Sequence, residues 1–333
     1  MRVFLFERFF LILGVSLIVI GGTAQSEPAV ASKPLTFVVE ALPDQFARRV
    51  QSQKDMLRRF GLGDPDKTSK GVINALKIWT TAYPQVRVCF FSGSDALRSR
   101  IAKIAMEWKS AAPGVPLDFG NVENPRLCKS GDVNHIRVGF RFTGYWSLIG
   151  QDSIKFAGPD EQSMNFERFD TSPPSDAEFH ETVLHEFGHA IGLEHEHQNP
   201  LAKCKDEFDW PKIYSWLAEP PNNWSKEIVD HNMSILNEPG LLASTFDRKS
   251  IMLYTFPPEY FKQGTRASCY NPPNTALSDG DKSIVQALYP TSQEAKVKLQ
   301  DEIKKGHLDR IKASDQAEGA KSGVIQLVGE YMP

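Results

Sequence analysis

The sequence predicts an α+β fold: a mixed sheet with two helices in one half, and an irregular second half that ends on a helix. Three observations carry this. Short apolar or alternating segments recur before residue 170, and two longer segments place apolar residues at helical spacing. Residues 198–247 then lose all periodicity and fill with Pro, Asn and Trp, before one last amphipathic segment. The 333 residues are 41% hydrophobic and 24% charged, ordinary values for a globular chain with a sizeable core.

Residues 1–24 read as a secretory signal peptide. Arg2 and Arg8 flank a charged start, residues 9–20 are apolar, and Gly21-Gly22-Thr23-Ala24 places Gly22 and Ala24 as at a cleavage site. The apolar run falls short of the ~20 residues that span a bilayer, so a permanent anchor is the weaker reading. No other segment is long and apolar enough to cross a membrane. Export puts the chain outside the cell, or in the periplasm of a bacterial host, with no stable membrane anchor after cleavage. The formal net charge is −3 and no long basic run occurs, which argues against a nucleic-acid partner.

Residues 25–75 form a separate leader, either a propeptide or an extension packed on the domain. Residues 36–40 fit a short strand. Residues 44–60 fit a helix with Phe46, Val50, Leu57 and Phe60 near one face, stopped by Gly61-Leu62-Gly63-Asp64-Pro65. The main domain spans residues 76–290. Residues 86–91 read as a strand, and Asp95–Ala111 as a helix with Leu97, Ile101, Ile104 and Trp108 at helical spacing. Residues 117–119 and 135–142 read as strands, the second alternating Ile136, Val138, Phe140 and Phe142. Residues 147–151 are turn-like, and residues 163–166 fit a short strand.

The next helix starts near Ser175, where Glu178 three residues on completes a capping box. Phe179, Val183, Phe187 and Ile191 recur every four residues and bury one face, and Gly192 ends the pattern. Trp210–Leu217 fits a short helix, and residues 278–289 a final helix with Ile284, Val285 and Leu288 inward. Residues 291–333 turn to Lys, Asp, Glu, Gln and Ala, a charged tail read as a solvated helix followed by disorder.

Cys89, Cys128, Cys204 and Cys269 are an even set in an exported chain, which suggests disulfides. Of three pairings, Cys89–Cys128 and Cys204–Cys269 are favoured, because each closes a loop within one half. Free buried thiols are the alternative.

The chemistry concentrates in His185-Glu186-Phe187-Gly188-His189-Ala190-Ile191-Gly192-Leu193-Glu194-His195. Residues four apart share a helix face, so His185 and His189 can present two imidazoles to one ion. His195 cannot follow on the same straight helix. Gly192 can adopt the positive φ of a sharp turn and bring His195 back. Three neutral imidazoles suit Zn²⁺ and leave a position for water, whose pKa the ion lowers toward ~7. Glu186 can take the water proton and deliver it to the leaving amine. The short motif arises by chance in roughly one chain in a hundred, and the added Gly and His lower that by a factor on the order of a thousand. A structural zinc site would usually close all four positions. His180, His197 and His231 are not expected to be ligands, and His197 is expected at the surface. Asn223-Trp224-Ser225 and Asn232-Met233-Ser234 fit the glycosylation pattern, which matters only in a host that glycosylates exported proteins.

The elongated motif resembles that of the metzincins, and Ser250-Ile251-Met252-Leu253-Tyr254 resembles their Met-turn. Glu196 after the third histidine, and Tyr254 two residues after Met252, are placed as in astacins. Asp247-Arg248-Lys249-Ser250 and Leu277-Ser278-Asp279-Gly280-Asp281 are similar to the family as well. The likeness covers roughly residues 75–290. It implies a metzincin-like zincin fold, with a sheet and two helices above a cleft and a lower half carrying Met252 as an apolar floor under the histidines. It implies endopeptidase activity on peptides lying along the edge strand. By position, Tyr254 is then a fifth metal ligand that swings away to stabilise the oxyanion, with a core aromatic as the alternative. Glu196 in astacins meets the mature N-terminus; an ordinary surface carboxylate is the alternative here. Leu193 replaces the astacin phenylalanine, the Arg- and Asp-rich stretch after the motif is missing, and the cysteines sit elsewhere. No calcium repeats follow, so the resemblance is to an astacin-like chain and not to a full serralysin. Phe60-Gly61-Leu62-Gly63-Asp64 is loosely similar to an aspartate switch; Asp64 otherwise reads as a loop residue that ends a helix.

The expectation is therefore a secreted zinc endopeptidase acting on protein or peptide substrates. One catalytic Zn²⁺ would sit on His185, His189 and His195, with Glu186 and Tyr254 as catalytic groups. The rivals are a zinc hydrolase of a non-protein amide and a catalytically silent binding protein on the same fold; the intact Glu186 argues against the second.

Overall fold

Five short segments rich in β-branched and aromatic residues pair into one sheet. Their order is Leu117–Asp118, Val86–Phe90, Ile136–Gly139, Met164–Phe166, Tyr145–Ser147. The first four run parallel, and Tyr145–Ser147 closes the order as an antiparallel edge, with Trp146 opposite Asn165. This is the mixed sheet that the sequence predicts. The computed structural model describes residues 42–58, 73–220, 222–233, 241–242 and 245–333. All of them fall in one compact unit, Phe37–Pro333. The expected signal segment, the expected strand at 36–40, Phe60 and Asp64 lie outside the described residues. The strand expected over 135–142 stops at Gly139. Past it, the Asn165 side chain takes over the backbone bonding, accepting from Phe142 N and donating to the Phe142 carbonyl.

Two helices cover the sheet. Asp95–Ala111 starts on the Ser94 hydroxyl, which accepts from Leu97 N. Asp176–Ala190 starts on Ser175, which accepts from Glu178 N at 3.3 Å. Such caps contribute roughly 1 kcal/mol each. The first helix buries Ile101, Ile104 and Trp108, and the second Phe179, Val183, Leu184 and Phe187. The Trp108 indole donates to the Leu184 carbonyl at 2.9 Å and ties the two together. The N-terminal helix, Asp44–Arg58, packs on this body: Phe46 and Val50 meet Trp146, Leu148 and Ala157, and Leu57 joins the main core.

The lower half builds its own core from Phe208, Ile213, Leu217, Phe256, Tyr260 and Phe261, around the short helices Trp210–Leu217 and Lys226–Met233. Both expected disulfides form, Cys89–Cys128 and Cys204–Cys269. Helix Asp279–Leu288 begins on a full capping box between Ser278 and Asp281.

That helix is not the last one, and the expectation for the tail needs correction. Gln293–Ala313 and Glu318–Tyr331 form a helical hairpin that folds back onto the body. Ile311, Val324, Val328, Tyr331 and Met332 are buried in the main core. Val324, Val328 and Tyr331 repeat at i, i+4 and i+7, a helical stripe that the charged average of the tail conceals. Among the described residues, no helix is long and apolar enough to cross a membrane.

Candidate active site

Helix Asp176–Ala190 ends where three groups take up its last carbonyls. The Trp79 indole donates to Ala190 O, the Tyr289 hydroxyl to Ile191 O, and Leu193 N to Gly188 O. Gly192 follows with φ of +105°, the positive value the reversal requires. The chain then turns back, and Glu196 N donates to Met252 O at 2.9 Å. The motif is thereby stitched to the Met-turn.

This path brings three imidazoles together. His189 Nε2 lies 3.1 Å from His185 Nε2 and 3.1 Å from His195 Nε2. Each Nδ1 faces an oxygen that can only accept: Ile251 O at 2.8 Å from His185, Leu193 O at 2.7 Å from His189, and Gln198 Oε1 at 3.3 Å from His195. Nδ1 must therefore carry the proton on each ring, which leaves three Nε2 lone pairs converging on one point. Lone pairs so close repel one another unless a cation lies among them. Nitrogens about 2.0–2.1 Å from a tetrahedral zinc ion would be about 3.3 Å apart, close to the two spacings of 3.1 Å from His189, and all three ligand atoms lie within 4.8 Å of one another. All-nitrogen donors also fit zinc and not calcium or magnesium, which take oxygen. Among the described residues, these three are the group of His, Cys, Asp and Glu side chains able to share an ion.

Glu186 sits on the same helix, buried beside the first histidine. Met252 closes the floor: a Cβ on Gly188 would lie 2.3 Å from its sulfur, so any larger residue at this helix position makes the methionine side chain shift. The Tyr254 ring stands at the histidines, with centroids 5.3 Å from His185 and 4.3 Å from His195.

Two expectations change here. His197 is not at the surface; it is 1% exposed. The 3₁₀ turn Glu196–Gln198 swings its ring inward to stack on Tyr254, and its Nε2 donates to Asn232 O at 2.9 Å. It is outside the three-histidine group. Glu196 is not an ordinary surface carboxylate either. It is 2% exposed, and its Oε1 accepts from Asn199 Nδ2 and Asp247 N, both at 2.9 Å. Burial pushes its carboxyl up to about 8. His180 stays at the outside, between Glu107 and Thr275 O. Asn223 is exposed, and Asn232 spends its amide on Ile228 O.

The sequence marks Asp281 only as part of a family-like stretch, without its role, and does not mark Gln198 at all. Asp281 accepts from the Ser250 hydroxyl, Ile251 N and Ser278 N, while burial raises its pKa. It thus fixes the residue whose carbonyl orients His185. Its place at the third position of a capping box was a readable signal. Gln198 reaches His195 only through the 3₁₀ turn, which nothing in the sequence marks.

A cavity of about 70 Å³ borders His189, His195 and Gln198, with Ser147 and Leu148 on its other side. A larger groove lies away from it, lined by Arg100, Lys103, Asp176 and His180. Its charges are engaged in ion pairs, Arg100–Asp176, Lys103–Glu123 and His180–Glu107, so it is salt-bridged surface.

No protein-family model matches the sequence, and no curated protein does. Solved structures do. A structure of myroilysin aligns at 32% identity and a TM-score of 0.56, over 67% of this chain and 100% of that one. A crystal structure of myroilysin aligns at 28% identity and a TM-score of 0.44, over 69% and 95%. High choriolytic enzyme 1, a hatching-enzyme zinc-protease from Oryzias latipes (medaka fish), aligns at 13% identity and 0.41, over 68% and 98%. The first of these carries the assignment, since it contains the relative's whole length at nearly one identical residue in three. With the elongated histidine motif folded into a three-imidazole centre above a Met-turn, the chain belongs to the astacin-like zinc metallopeptidases of the metzincin group.

Proposed function

We propose that this chain is an exported endopeptidase that cleaves peptide bonds in proteins with one zinc ion on His185, His189 and His195. The observation that carries this is the convergence of three Nε2 atoms whose Nδ1 partners are all fixed acceptors. When bound, the ion supplies a Lewis acid and a more acidic water. Every other part of the reaction falls to side chains of this chain. Glu186 takes the proton from the attacking water and passes it to the leaving nitrogen. Tyr254 donates its phenolic hydrogen to the oxyanion as charge develops there. Met252 keeps the underside of the rings dry. The substrate backbone lies along Tyr145–Ser147, the strand that ends the sheet order. Export is supported by the N-terminal pattern and by two disulfides, which persist in oxidising surroundings.

Incubation with casein and with a peptide library, with and without a chelator, tests the reading. Cleavage should stop on chelation and return with added zinc. Glu186→Gln should keep its zinc and lose turnover by about two orders of magnitude or more. Near-full activity in Glu186→Gln would remove Glu186 from the role of base, and turnover confined to non-protein amides would overturn the substrate class.

A further inference from the structure

Helix Asp44–Arg58 borders the cavity beside the metal site. Leu42, Val50 and Lys54 line the same cavity as His189, His195 and Gln198. Phe46 and Val50 press on Trp146 and Leu148, with the Phe46 and Trp146 rings 5.7 Å apart. Trp146 belongs to the edge strand, so the helix is seated on the face of the strand beside which an extended peptide would be laid. A substrate reaching His189 and His195 through this cavity would meet the helix there.

Apolar contact is not all that seats the helix. Gln53 Nε2 donates to the Tyr331 hydroxyl at 2.8 Å, and that hydroxyl donates to Asp152 Oδ1 at 2.5 Å. Asp152 pairs with Lys77 at 2.7 Å, both about 1% exposed. Gln151 Nε2 donates to the Tyr331 carbonyl at 2.8 Å, and Lys155 to the Glu330 carbonyl at 3.1 Å. Arg49 adds a bond to the Phe156 carbonyl. One residue of the C-terminal hairpin thus bridges the N-terminal helix to the short helix Asp152–Lys155 of the domain. The hairpin can serve as a fixed point because Ile311, Val324, Val328 and Met332 root it in the main core. A buried phenol that both accepts and donates is costly to leave half-satisfied, so losing Gln53 or Asp152 loosens the junction as a unit.

We propose that the C-terminal hairpin is a clamp that holds the N-terminal helix over the metal site through Tyr331, keeping the full chain latent until the helix is released. This rests on the peptidase reading above, and its test separates the two. The full zinc-loaded chain is compared with Phe46→Asp, which breaks the apolar seat, and with Tyr331→Phe, which breaks the junction. Gln53→Leu serves as a milder variant that leaves Tyr331 and Asp152 together, should Tyr331→Phe fold poorly. Three quantities are read: affinity for a peptide hydroxamate, amide hydrogen exchange over residues 44–58, and cleavage of a fluorogenic peptide. The clamp predicts faster exchange over 44–58 and hydroxamate binding at least tenfold tighter in Phe46→Asp, with a smaller gain in the same direction in Tyr331→Phe and Gln53→Leu. Equal hydroxamate affinity in all four chains would overturn it. So would a gain in Phe46→Asp with no change in exchange or affinity in either junction variant. Tighter hydroxamate binding without peptide cleavage in any chain would sustain the clamp and sink the peptidase reading.

Discussion

Gly188 lacks a side chain because the Met252 sulfur fills the place where one would go. Gly188→Ala should therefore push the Met-turn away from the metal helix, costing about 1–3 kcal/mol in thermal or urea unfolding and weakening zinc binding with it. An unchanged melting point would show that the floor yields freely. Gln198 is the softer case. Its Oε1 sets the tautomer of His195 from 3.3 Å. Gln198→Leu should lower zinc affinity by about 10-fold or more in a competition titration, with the fold intact. At this scale the sequence was legible wherever chemistry demands a residue type at a fixed spacing: His185, Glu186, His189 and His195 on a helix and its reversal. It was not legible at His197, because an inward or outward ring there depends on a single turn of 3₁₀ helix whose direction is set by contacts with Tyr254 and Asn232.

Among elements, the Met-turn and the start of helix Asp279–Leu288 behave as one unit, since Asp281 caps the helix with one set of bonds and holds Ser250 and Ile251 with another. Asp281→Ala removes the cap and leaves buried donors without acceptors. The expected loss is roughly 2–4 kcal/mol in urea unfolding, with weakened zinc binding because Ile251 O no longer steadies His185. A loss below about 0.5 kcal/mol would mean that the Met-turn holds itself. Helices were read well from sequence because their apolar spacing and caps are local: Asp95–Ala111 and Trp210–Leu217 fall at the expected bounds. Strands were read less well at their ends. Ile136–Gly139 is cut short by the Asn165 side chain, which comes from a segment more than twenty residues away.

Over the whole molecule, the C-terminal hairpin is the part that composition hid, since six buried residues among many charged ones do not move an average. Its burial has a consequence for pH. His307 is 4% exposed, and burial holds its imidazole down to about 4 from an ordinary 6.5. The unfolded chain takes up a proton near 6.5 while the folded chain resists until about 4. Stability is then fully present above 6.5 and falls as the pH drops through that window, by about 3 kcal/mol for this group. His307→Leu should flatten the fall between pH 7 and pH 4.5 in urea unfolding, and an unaltered slope would rule this histidine out as its source.

Three imidazoles must share one ion for this chemistry, and metal content measures that directly. After dialysis against trace zinc, the wild-type chain should hold one zinc per chain, and His189→Ala almost none, with both folded by circular dichroism. Zinc retained at full stoichiometry in His189→Ala, or none bound by a folded wild-type chain, would contradict it.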